Sequence, residues 1–168
     1  AVHEPEALDV IIDDVTDAIA NGSPDTQAAA LHALGKAGER ALPKLSFVTQ
    51  KLNNADPDVS AAAFKALRTI GPKAVVPNLK VVAEALRSDA GPVRSEALLA
   101  LPLAGDSLKQ FPYRIRTAIP GATPGVRATL VRAAGIIADR VGVDEEWLAH
   151  GREALRSDDP ALRSAMCF

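Results

Sequence analysis

Apolar residues recur along this chain at helical spacing, in short runs separated by polar turns. The stretch ALDVIIDDVTDAIA (7–20) puts Leu8, Ile11, Ile12, Val15 and Ile19 on one helical face and sets its aspartates apart from them. The stretch NNADPDVSAAAFKALRTIG (53–71) begins as a polar turn and becomes a run of alanines and leucines. Its Asp56-Pro57 reads as an acidic N-cap with proline at the first helical position, and Gly71 reads as the stop.

The second of these phrases is written more than once. PDVSAAAFKAL (57–67) aligns with PDTQAAALHAL (24–34), GPVRSEALLAL (91–101), PGVRATLVRAA (124–134) and PALRSAMCF (160–168). The anchors after the turn are Thr26, Val59, Val93, Val126 and Leu162, spaced by 33, 34, 33 and 36 residues. Between them lies another helical pattern: 7–20, then ALPKLSFVTQKL (41–52), VVPNLKVVAEAL (75–86), LKQFPYRIRTAI (108–119) and DEEWLAHGREAL (144–155). Pro43 and Pro77 fall at the same place, 34 residues apart; Pro112 is shifted by one, and the fifth copy lacks the proline. Each unit is therefore helix A, turn, helix B, turn. Neither helix is long enough to be stable alone, so stacked neighbours must bury the apolar faces in one continuous core. Ser23-Pro24, Asp56-Pro57, Thr123-Pro124 and Asp159-Pro160 open B helices, whereas the third copy has Ala90-Gly91-Pro92 and is expected to start less crisply.

The segment DPDVSAAAFKALRTIGPKAVVPNLKVVAEALRSDAGPVRSEALLAL (56–101) resembles a HEAT-repeat protein, and the likeness extends over nearly the whole chain. It implies an all-α fold, a right-handed α-α superhelix of about five helical hairpins, the last one short. The chain would form one domain, 1–168, with units near 5–36, 38–71, 72–105, 107–140 and 144–168. The prolines in the A helices fit the family, whose A helices are commonly kinked there. HEAT proteins often carry a ladder between an aspartate of the intra-unit turn and an arginine early in helix B. Here the resemblance assigns that ladder to Asp89, Arg94, Arg127 and Arg163, with Asp158 or Asp159 as a further acidic member. Gln27 and Ser60 stand at the arginine position of the first two copies. Armadillo units would add a third helix, for which the intervals leave little room, and the Trp, Tyr and Gly signature of tetratricopeptide repeats is absent. The resemblance implies a scaffold that binds other proteins, as a subunit or adaptor of a larger assembly, and not a reaction. One branch of the family, the lyase-type HEAT proteins, assists chromophore attachment, and this is the alternative function.

Composition agrees with close-packed helices. Hydrophobic residues are 48% of the 168 but aromatics only 4%, so the core is expected to be aliphatic and alanine-rich, unlike a sheet. A net charge of −2 argues against nucleic-acid binding by the whole chain. No apolar run approaches the roughly 20 residues of a membrane span. Neither a signal peptide nor an arginine-rich leader is visible. The expectation is a soluble intracellular protein of the cytoplasm or an organelle interior. Ala1 in place of methionine fits either a processed N-terminus or a piece of something longer.

Charge is unevenly spread. Residues 1–35 hold seven acidic side chains and no Lys or Arg, with Asp9, Asp13 and Asp17 four apart in one stripe. Two readings stand: a solvated face that keeps an end unit soluble, or a surface that docks a basic partner. Residues 107–138 hold Lys109, Arg114, Arg116, Arg127 and Arg132 and no acidic residue. Arg127 matches the ladder position, and Arg132 falls away from the apolar face of Val126, Leu130, Ala133 and Ile137 and is expected to be exposed. Lys109, Arg114, Arg116 and Arg132 form either a basic docking patch or a merely solvated face. The opposite signs of the two ends also allow head-to-tail contact between copies.

No constellation for catalysis, metal or cofactor emerges. His3, His32 and His150 are scattered, without the spacing that sets two ligands on one helix face. Cys167 excludes an internal disulfide and has no nearby His or Lys to activate it. Trp147 is expected to pack against Leu148 and Leu155, or to serve as an exposed anchor. The apolar end Met166-Cys167-Phe168 is expected to need cover, from further chain or from a partner.

Overall fold

The computed structural model describes residues 4–110 and 122–142, with 118, 119, 149 and 156 besides; side chains are described from Asp13 onward, except those of Gln110 and Val141. Eight α-helices and three 3₁₀ segments make up the described chain, and no strand occurs among these residues. The helices are α1 (Glu4–Asn21), α2 (Pro24–Lys36), α3 (Leu45–Lys51), α4 (Pro57–Ile70), α5 (Pro72–Val75), α6 (Leu79–Ala85), α7 (Gly91–Ala100) and α8 (Pro124–Val141). The 3₁₀ segments are Gly38–Lys44, Val76–Asn78 and Leu101–Gln110. Helices α2, α4, α7 and α8 carry the B pattern; α1, α3 and the α5–α6 pair carry the A pattern. The expected unit at 144–168 lies outside the described residues, apart from two isolated positions.

The two central A segments break at their prolines. Proline has no N–H to donate and its ring crowds the preceding turn, so the chain tightens into 3₁₀ geometry and then resumes an α-helix. Lys44 and Asn78, each following a proline, adopt almost the same backbone angles, φ −106°, ψ 13° and φ −103°, ψ 10°. The Asn78 side chain donates to the carbonyl of Ala74 at 2.9 Å and so satisfies an acceptor at the break.

The B helices share their register. The first turn is closed by the same bond in all four: the N–H of Gln27, Ser60, Arg94 and Arg127 donates to the carbonyl of Ser23, Asp56, Ala90 and Thr123. Side-chain capping differs between copies. Asp56 accepts from the N–H of Asp58 (2.9 Å) and Val59 (3.2 Å), and Ser23 accepts from Thr26 at 3.3 Å. Ala90 has no group to offer, in line with the weaker start expected there. Thr123, expected to cap, makes no side-chain cap bond among the described residues. The Leu101–Gln110 segment is interrupted at Gly105, whose φ of +50° and ψ of −130° suit glycine alone and separate the third B helix from the next stretch of chain.

The core runs through the stack. Ile19, Leu31, Leu34, Val48, Val59, Phe64, Leu67, Leu86, Leu101, Leu108, Leu130 and Ile137 are fully buried or nearly so. Phe64 is the one fully buried aromatic residue among them. The small residues set how near the helices come: a Cβ added at Gly35 of α2 would stand 2.9 Å from Ala66 Cα of α4. Neighbouring units are also tied by ion pairs. Lys44 meets Asp13 at 2.8 Å, Lys73 meets Glu39 at 2.7 Å, and Arg68 meets Glu96 at 3.1 Å. The fold is an all-α solenoid of stacked helix pairs.

Candidate functional site

The position after each B-helix anchor holds a long hydrogen-bond donor in three of the four copies. Gln27 donates to the carbonyl of Gly22 at 2.8 Å, Arg94 to that of Asp89 at 2.8 Å, and Arg127 to that of Ala122 at 3.1 Å. In each case the acceptor lies five residues back, in the turn that leads into the helix. Arg94 also takes the carbonyl of Ser88 at 2.7 Å, and its Nη2 lies 3.1 Å from where a Cβ on Gly125 would be, at the start of α8. It therefore links the turn of one unit to the B helix of the next. The family resemblance implies the Asp89 carboxylate as partner. The Asp89 side chain is exposed instead, and its backbone carbonyl takes the guanidinium. Arg163, the last expected member, lies outside the described residues.

The other expected contact residues differ in their surroundings. Asp13 is exposed and pairs with Lys44, and Asp17 accepts from the Asn21 side chain at 2.6 Å; the side chain of Asp9 lies outside the described residues. Lys109 stands 3.5 Å from Asp106, just outside the acid-free stretch. Arg114 and Arg116 lie outside the described residues. Arg132, expected to be exposed, is half-buried, and its Nε is buried without a hydrogen-bond partner among the described residues; so is that of Arg127. The wheel of α8 correctly turns Arg132 away from its own apolar face but carries no information on what flanks the helix. His32 is exposed. His3, Trp147, His150 and Cys167 lie outside the described residues.

One row escapes a reading of the sequence. Counting six residues on from the anchor of each described B helix gives His32, Lys65, Leu99 and Arg132; the first three are exposed and Arg132 is half-buried. Leu99 is 55% exposed, the most exposed large apolar side chain among the described residues. The signal is there to be found: the repeat alignment puts a leucine at a position that is basic or His in the other three described copies. No group of three His, Cys, Asp or Glu among the described residues is placed to hold a metal ion. No described helix is long and apolar enough to cross a membrane.

A fold of stacked A–B pairs, a shared B-helix register and a recurring donor rung define a tandem helical-repeat protein. The family model for HEAT repeats matches residues 12–102, just over half of the chain. The chain belongs to the HEAT-repeat family, whose repeats generally serve as scaffolds for protein–protein interaction. A comparison with curated proteins gave no match.

Proposed function

We propose that the chain is a non-enzymatic scaffold, a subunit or adaptor of a larger protein assembly, and that it docks its partner along the B-helix row His32–Lys65–Leu99–Arg132. The observation that carries this reading is Leu99, a leucine left 55% exposed between basic neighbours, where no other exposed position of the described B helices holds a large apolar residue. An apolar anchor with a polar rim is the usual anatomy of an interface centre. Lys65 and Arg132, with Lys109, Arg114 and Arg116 further along, supply positive charge for an acidic, leucine-accepting partner surface. Charge of this kind acts mainly on encounter rate and register. The stripe of Asp9, Asp13 and Asp17 offers a contact of opposite sign on the A side.

A photo-cross-linking residue at position 99, and another at Gln50 on the A side as control, tests the row in the native assembly. The expected result is one polypeptide captured from position 99 only, with the yield reduced by Lys65→Glu. Equal capture from both positions, or capture indifferent to Lys65→Glu, overturns the assignment.

A further inference from the structure

The donor rung of the B helices is missing once. Ser60 holds the position of Gln27, Arg94 and Arg127, but a serine is too short to reach five residues back. Its hydroxyl turns instead to the carbonyl of Leu52 at 2.6 Å. The carbonyl of Ala55, counterpart of Gly22, Asp89 and Ala122, receives no hydrogen bond among the described residues. Where the arginine would lie there is open space. A groove of about 350 Å³ runs between the 52–57 turn and the start of α7, with Phe64 and Val93 buried beneath it and Asn54, Ala55 and Glu84 among the residues that line it. It stands one unit before the place where Arg94 lies against Gly125. No Lys or Arg lines it, and Glu84 supplies a carboxylate. Asp56, beside it, gives one carboxylate oxygen to its own helix N-terminus, which offsets the positive end of that helix dipole.

We propose that this groove is a receptor for an arginine side chain presented by the partner protein, which completes in trans the rung that Arg94 and Arg127 complete in cis. The chemistry is the same in both cases. A planar guanidinium offers several N–H donors in a fixed fork, so it can satisfy the Ala55 carbonyl and face Glu84 at once while its stem lies along Pro57, Ala85 and Ala90. The inference rests on the reading of the chain as a protein-binding scaffold, but its test needs no partner, so the groove can fail while the scaffold reading stands.

The test titrates the full chain with N-acetyl-arginine-N-methylamide, followed by amide NMR shifts, with the lysine analogue in a parallel titration. Saturable shifts confined to residues 52–60 and 84–93 are expected, with a Kd on the order of 1–10 mM for one side chain and at least severalfold weaker binding of the lysine analogue. Ser60→Arg places a guanidinium in the groove within the chain and abolishes the shifts. Glu84→Gln, at an exposed position, weakens binding about threefold and covers the case in which Ser60→Arg does not fold. Absence of saturable shifts, equal binding of the lysine analogue, or unchanged binding in the folded Ser60→Arg protein overturns the proposal.

Discussion

Gly35→Ala isolates the helix–helix contact that sets the spacing of the stack. Two effects oppose each other. Alanine is favoured over glycine inside a helix by about 1 kcal/mol. Against that, the new Cβ would stand 2.9 Å from Ala66 Cα and 3.2 Å from Ala66 Cβ, well inside the ordinary carbon–carbon separation of about 3.5–4.0 Å. The closer atom belongs to the backbone of α4 and cannot rotate away, so the two helices must separate along their crossing. Overpacking of this kind costs about 1–3 kcal/mol, and contact with main chain puts it toward the upper end. The expected net loss is about 1–2 kcal/mol, or a fall in Tm of some 2–4 °C for each kcal/mol in a chain of this size. Gly135→Ala is the internal control. Gly135 lies within α8, is exposed, and meets no described atom within 4 Å of an added Cβ, so the helix preference acts alone and raises stability by up to about 1 kcal/mol. Urea denaturation followed by far-UV circular dichroism measures both, with unchanged m-values required for the comparison. A Gly35→Ala protein as stable as the parent would refute the claim that the glycine is there for close approach.

Other outcomes depend on single contacts. Asp56→Ala removes two cap hydrogen bonds and is expected to cost about 1 kcal/mol, whereas Thr123→Ala, which removes none among the described residues, changes stability by less than about 0.5 kcal/mol; urea midpoints compare the two. A double-mutant cycle on Arg68 and Glu96, whose side chains are 31% and 21% exposed, should give a coupling near 1 kcal/mol that shrinks in 1 M salt, while the exposed Lys73–Glu39 pair gives about 0.5 kcal/mol or less. Phe64→Ala is expected to cost about 3–5 kcal/mol by thermal or urea unfolding, because it empties a fully buried site.

Much of the fold is legible in the sequence because its signals are local. Proline at the start of each B helix, Pro43 and Pro77 at one register, and Gly71 after α4 act on their own backbone, and the structure places a helix start, a 3₁₀ break and a helix end at those points. Side-chain partners depend on what approaches from elsewhere and are less legible. Arg132 is half-buried although its own helical wheel turns it outward. Asp89 serves through its carbonyl because Arg94, five residues on, folds back along the turn and donates to the main-chain oxygens of Ser88 and Asp89. Lys109 has Asp106 beside it because the acid-free stretch begins only at residue 107. Ser60 stands out in the sequence as a departure from the pattern, but that the departure leaves a groove is a statement about volume, and volume is not written in one strand of letters.

The ties between units share a common reach. Asp13–Lys44, Glu39–Lys73 and Arg68–Glu96 connect residues 31, 34 and 28 positions apart, each about one unit of sequence. Structure in such a chain can spread by adding one helix pair to the last, with no need to bring distant ends together, so the loop-closure entropy opposing each step stays small and nearly constant. During synthesis, a helix pair can settle as soon as its successor has left the ribosome, and the order of assembly matches the order of translation.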